Sequence, residues 1–104
     1  MLDIAPILRL VVSECAEDYV GLWSIAWQIR ASGVDSAAVM ETTLSLVTLL
    51  ITDNSVVAGE FEDNQFVKWL MPAQDAIVTI RNRWLELGRD PDIGEVVWFT
   101  REGR

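Results

Sequence analysis

Two pairs of carboxylates are the residues in this 104-residue chain whose spacing first suggests chemistry. Glu14 and Asp18 are four apart, which puts them on one face of a helix, and Glu60 and Glu62 are two apart, which does the same on a strand. Carboxyl groups held side by side can share a proton or grip a hard cation through oxygen. Neither pair has a sequence neighbour placed to desolvate it or to complete an oxygen cage, so both read as solvated surface acids. The rest of the catalytic repertoire is thin. The chain has no His, which removes the imidazole base at neutral pH, His-based triads and His–Cys zinc sets. GxxxxGK[ST], GxGxxG and GxSxG do not occur, so neither a phosphate cradle nor a nucleophile elbow is expected. The single cysteine, Cys15, excludes an internal disulfide and lies in an apolar-periodic stretch, where it reads as a buried, inert thiol. The sequence therefore predicts a protein that is not an enzyme and uses no cofactor and no metal.

Charge points to binding. Sixteen acids against eight bases give a net charge of −8. Residues 1–67 hold ten of the acids and only Arg9 and Arg30, whereas residues 68–104 hold six of each sign, so the excess belongs to the first two thirds. Between Arg30 and Lys68 there is no basic residue. A nucleic-acid contact face needs Lys and Arg to neutralise phosphates, so this part of the surface repels DNA and RNA. Its acids, Asp35, Glu41, Asp53, Glu60, Glu62 and Asp63, suit a basic protein instead, where matched potentials speed encounter and fix register.

Five Trp in a chain that is 51% hydrophobic supply a core and leave apolar surface for a partner. Trp23 and Trp27, four apart beside other apolar positions, read as core; Trp69 and Trp98 lie in elements that a small domain covers on one side, and are the better candidates for exposure.

These residues need elements to position them. A first helix is predicted from about Asp3, its N-cap, to Asp18, with Ile4, Ile7, Leu8, Val11, Val12 and Cys15 facing inward. A second runs from about Val20 to Arg30, with Leu22, Ile25, Ala26 and Ile29 on one face and Trp23 and Trp27 on another. A third, capped by Asp35 or Ser36, continues to about Thr52, where Asp53-Asn54 breaks it. Ala37, Met40, Leu44, Val47 and Ile51 form its apolar stripe, widened by Val39, Leu46 and Leu50, and Glu41, Ser45, Thr48 and Thr52 line the opposite side. The stretch SVVAGEFEDNQFVKWL, residues 55–70, reads as a hairpin with Glu62-Asp63-Asn64-Gln65 as its polar connection. After Pro72 comes a helix over about Ala73 to Leu87, with Ala73, Ile77, Ile80, Trp84 and Leu87 buried, Gly88 as its left-handed cap and Pro91 as its stop. Glu95 to Thr100 has strand composition, to join the hairpin sheet or to pack on the last helix.

Three helices followed by a hairpin is the element order of a winged helix-turn-helix, and the length suits one domain spanning residues 1–104. The expected fold is α+β, mainly α: three helices, a β-hairpin wing, a C-terminal helix and a short last strand. The stretch RNRWLELGRDPDIGEVVWFT, residues 81–100, through Arg81, Trp84, Leu87, Gly88, Arg89, Pro91, Gly94, Trp98 and Phe99, resembles small bacterial winged-helix-like proteins, some of them immunity proteins of polymorphic or contact-dependent toxin systems. That resemblance implies an acidic, non-catalytic domain that neutralises a basic toxin, a nuclease above all, and it transfers no binding residue. From charge and element order, the partner-binding candidates are Glu41, Asp53, Glu60, Glu62 and Asp63, with Trp69 as an apolar anchor. The alternative is a regulatory winged-helix module of a transcription factor, used for protein contact or dimerisation, which either no longer touches DNA or does so around Arg81, Arg83 and Arg89. No apolar run reaches 18 residues and no convincing signal region opens the chain, so a cytoplasmic protein that contacts neither membrane nor nucleic acid is expected; a homodimer is compatible with the sequence.

Overall fold

The first helix starts at Ala5, two residues after the expected cap, and runs to Glu17 as α1. Asp3 still serves the helix start, because its Oδ1 accepts a hydrogen bond from the Ala5 N–H at 3.0 Å, and Pro6 falls in the first turn, where its missing N–H costs nothing. The computed structural model describes residues 3–53 and 56–103; Asn54, half of the expected helix break, and Ser55, the first residue of the hairpin stretch, lie outside them.

The second helix departs from expectation in an informative way. Val20 and Gly21 form a short strand, β1, and α2 spans Leu22–Ala31. Val20 pairs with Phe99 and Gly21 with Trp98, and the Leu22 N–H donates to the Val97 carbonyl at 3.1 Å. That partner lies more than seventy residues away, and periodicity carries no sign of it.

A 3-10 turn, Ser36–Ala38, precedes α3, Val39–Thr52. The expected stripe is rotated: Ala37 is exposed in the turn, Met40 and Ile51 are half-buried, and Val39, Thr43, Leu44, Leu46, Val47 and Leu50 are buried. The buried arc is wide because α3 packs against α1, α2, α4 and the next strand at once. Its outer hydroxyls bond to their own helix: Ser45, Thr48 and Thr52 donate to the carbonyls of Glu41, Leu44 and Thr48.

The hairpin consists of β2, Val56–Glu62, and β3, Gln65–Lys68. Glu62 pairs with Gln65, so the loop is the two residues Asp63 and Asn64, both at positive φ, 51° and 66°. That is the type I′ geometry whose twist matches the flanking strands. Gly59 of β2 pairs with Lys68, and a side chain there would strike the Phe66 ring and the Val67 carbonyl. α4, Ala73–Leu87, ends on Gly88 at φ 68°, as the sequence predicts, with Ile80 and Trp84 buried and Ala73, Ile77 and Leu87 half-buried.

The last strand, β4, is Trp98–Arg101, and of its two predicted destinations it takes the sheet. It inserts between β1 and β2, giving an antiparallel sheet in the order β1-β4-β2-β3. The fold is thus α+β and mainly helical. Val20, Phe99, Val56 and Ala58 turn inward and join Val11, Cys15, Leu22, Ile25, Leu46, Ile80 and Trp84 in a common core. On the sheet's other face, Tyr19, Phe61, Phe66 and Trp98 meet edge to edge or tilted, with ring centroids 5.0 to 5.8 Å apart. No helix among the described residues is long and apolar enough to cross a membrane.

Candidate binding site

Five ion pairs among the described residues organise the surface charge. Arg81 of α4 holds Glu41 of α3 with both terminal guanidinium nitrogens, Nη2 lying 3.0 Å from Oε1. Arg83, two residues on, points elsewhere: it pairs with Glu60 of β2, donates to the Val96 carbonyl at 3.3 Å and lies over the Trp69 ring, 5.1 Å from its centroid. Arg89 forms a two-pronged pair with Glu95, at 2.7 and 2.9 Å. Arg30 reaches Asp90 at 2.6 Å, and Lys68 reaches Glu102 at 3.3 Å. The hydrogen bond from Arg81 holds the Glu41 carboxyl below the ordinary carboxylate range and raises the Arg81 guanidinium in turn. At Glu95 the hydrogen bonds from Arg89 and from the Asp92 N–H pull the carboxyl down to about 2.

These pairs divide the six candidate residues. Glu41 and Glu60 are already engaged by Arg81 and Arg83, within the chain. Asp53 is exposed at the end of α3, and Glu62 and Asp63 are exposed at the hairpin tip. Of the six, Glu60, Glu62 and Asp63 share the hairpin, whereas Glu41 is tied to α4 instead. Trp69 is not the bare anchor expected of it: half-buried, it packs on the core beneath Arg83. Trp98 is also half-buried, 5.4 Å from Phe61. The exposed indole is Trp27, 65% accessible and beside exposed Leu10, on a helix whose inner face Leu22, Ile25, Ala26 and Ile29 already fill. Of the opening carboxylate pairs, Glu14 accepts from Gln28 and Glu60 from Arg83, so each is engaged separately. Among the described residues, no three Asp, Glu or Cys side chains gather as a metal site.

A concavity lies at the end of the sheet, where β2, the second half of α4 and the turn before β4 meet. It is an open groove of about 630 Å3 whose walls include Glu60, Phe61, Arg83, Glu86, Val96 and Trp98. Its rim is stiffly held. Val96 sits at φ 73°, and the Val97 N–H donates across it to the Glu95 carbonyl at 2.9 Å, closing a γ-turn of the rare positive-φ kind. A β-branched residue there costs on the order of 1–3 kcal/mol, borne because Arg83 holds the Val96 carbonyl and Leu22 holds that of Val97. Neither Phe61 nor Glu86 stands out in the sequence as a binding residue. Phe61 carries a faint signal, a large apolar residue between two acids on a strand, but Glu86 looks like any polar helix position until the fold brings β2 across from it.

Comparisons with protein-family models, with curated proteins and with solved structures find no match for this chain.

Proposed function

We propose that this chain is a non-catalytic binding domain of the winged-helix type, an immunity or antitoxin protein that docks an acidic surface on a cognate toxin with a basic cleft, a nuclease, and excludes its RNA or DNA substrate. The observation that carries this reading is the distribution of charge after internal pairing. Five of the seven described bases are consumed in ion pairs, leaving Arg9 and Arg101, while those same pairs use only five of the sixteen acids. The outward field is therefore strongly negative, and it includes the hairpin tip at Glu62 and Asp63. Three helices followed by a hairpin supports the winged-helix assignment, with the insertion of β4 between β1 and β2 as this chain's own addition.

The second reading, a regulatory winged-helix module that dimerises or contacts another protein, draws on exposed Trp27 and Leu10. Its version that touches DNA around Arg81, Arg83 and Arg89 is disfavoured, since each of these guanidiniums is already neutralised by a carboxylate. Two measurements separate the readings. A duplex gel shift at about 50 mM salt, where non-specific DNA affinity is strong, should show no complex. Co-expression with a basic nuclease domain encoded beside this chain should restore growth. A retained duplex without neutralisation would replace the first reading with the second.

A further inference from the structure

The groove beside the hairpin has a composition that selects its occupant. One wall is aromatic: Phe61, 40% accessible, meets the Trp98 ring edge-on. α4 contributes exposed Glu86 and Arg83 to the lining, the latter paired with Glu60 of β2. Glu60, Glu86 and Glu95 line the groove against Arg83 alone. Arg83 is spent on Glu60, and Glu95 on Arg89, whereas Glu86 makes no ion pair among the described residues. A planar cation fits such a place best: its faces lie on aromatic rings and its N–H groups reach carboxylate oxygen. An anion is opposed by the excess of carboxylates, and a purely apolar group would strand Glu86 against it without a partner. The strained γ-turn at Val96 keeps the Trp98 side of the groove in place before anything binds.

We propose that this groove is the seat for an arginine side chain of the basic protein partner, its guanidinium stacked on one ring of the perpendicular Phe61–Trp98 pair and hydrogen-bonded to Glu86. The inference rests on the reading of the chain as a binder of a basic protein surface, and it locates on that surface the anchor that the sequence assigns to Trp69. Arginine is specified over lysine because an ammonium has no plane to stack and is more strongly hydrated.

The test uses the full chain, 15N-labelled, titrated at low ionic strength with N-acetyl-arginine amide, N-acetyl-lysine amide and N-acetyl-aspartate amide as probes. Saturable amide shifts confined to Phe61, Glu86, Gly94 and Trp98 are expected with the arginine probe, and weaker ones with lysine. Glu86→Gln and Phe61→Leu should each weaken the arginine probe about three- to ten-fold, with cross-peaks elsewhere unmoved as evidence of an intact fold. Glu17→Gln, on α1 and outside the groove, should change nothing. Unsaturating shifts spread over all acidic positions, equal for arginine and lysine, would overturn the proposal, as would preferential binding of the aspartate probe. Because the probe is one residue, such a failure removes the groove and leaves the hairpin tip as a docking element. A positive groove combined with failed neutralisation of the neighbouring nuclease would remove the toxin reading instead.

Discussion

Glu95 shows how much one side chain holds together. Its Oε1 accepts from the Asp92 N–H at 2.7 Å and from Arg89, while its Oε2 takes the second prong of Arg89. The carboxylate thereby closes the turn that carries the chain from Gly88 into β4. Its carboxyl, lowered to about 2 from an ordinary 4.5, binds its proton more weakly in the folded chain than in the unfolded one. The pair's contribution to stability is therefore fully present above about pH 4.5, fades as pH falls below it, and is gone once pH has dropped through about 2. A carbon-detected NMR titration should place the Glu95 side-chain midpoint at the bottom of the carboxylate range. In Arg89→Gln, which removes the leading cause of the shift, that midpoint should return toward 4.5, with the Asp92 hydrogen bond retaining part of the depression. An unchanged midpoint in the variant would mean that Arg89 does not hold the turn.

Among the elements, the hairpin and α4 make the firmest claims. Both tip residues adopt positive φ, a conformation Gly takes without penalty and Asn tolerates better than most residues. Asn64→Gly should leave stability level or raise it by up to about 1 kcal/mol, and Asn64→Ala should lower it by about 1 kcal/mol; urea midpoints for the two variants read the difference directly. α4 is held by Trp84, 4% exposed, on a helix that packs against α3. Truncation to Ala should cost about 3–5 kcal/mol, a large share of the 5–15 kcal/mol typical of a whole domain, and thermal melting should show a much lower Tm. The same elements show what a sequence can and cannot say. α4, its Gly88 cap and the hairpin itself are written in local chemistry and are legible, although the expected connection Glu62-Asp63-Asn64-Gln65 is two residues too long, because Glu62 and Gln65 pair as strand. β1 is not, because two residues become a strand only when Phe99 and Trp98 arrive from the far end of the chain. The face of α3 is legible to within a fraction of a turn, since its wide buried arc is set by neighbours that periodicity does not see. The acids of the candidate surface are legible as charges, but which of them remain available is not: Glu41 and Glu60 lose their availability to arginines forty and twenty-three positions away.

At the scale of the molecule, a radius of gyration of 12.7 Å matches the roughly 13 Å of a packed chain of about 100 residues. Its size sets how the charge is felt, because the principal extents of 36 × 28 × 23 Å exceed the Debye length of about 8–10 Å near physiological salt. A docking partner therefore responds to the acids on the approaching face and little to those behind it. If the hairpin tip is part of that face, Glu62 and Asp63 steer encounter. Glu60 is a poor choice for reversal, since a lysine there would stand beside Arg83 and disturb α4. Asp63 is better replaced by Asn than by Lys, because its φ of 51° favours a short polar side chain. The double variant Glu62→Lys with Asp63→Asn raises the net charge by two and by one, from −8 to −5, and should keep the fold within about 0.5 kcal/mol per site. Against the basic nuclease partner that the proposed function requires, association at about 50 mM salt should slow several-fold, and the gap between low-salt and high-salt rates should narrow, while dissociation changes little, as expected for charges that act before contact. Stopped-flow rates at two ionic strengths for both proteins supply the comparison. Equal association rates at both salts would show that the tip only solubilises the domain, and steering would then belong to the acids around α3 or to the groove at Glu86.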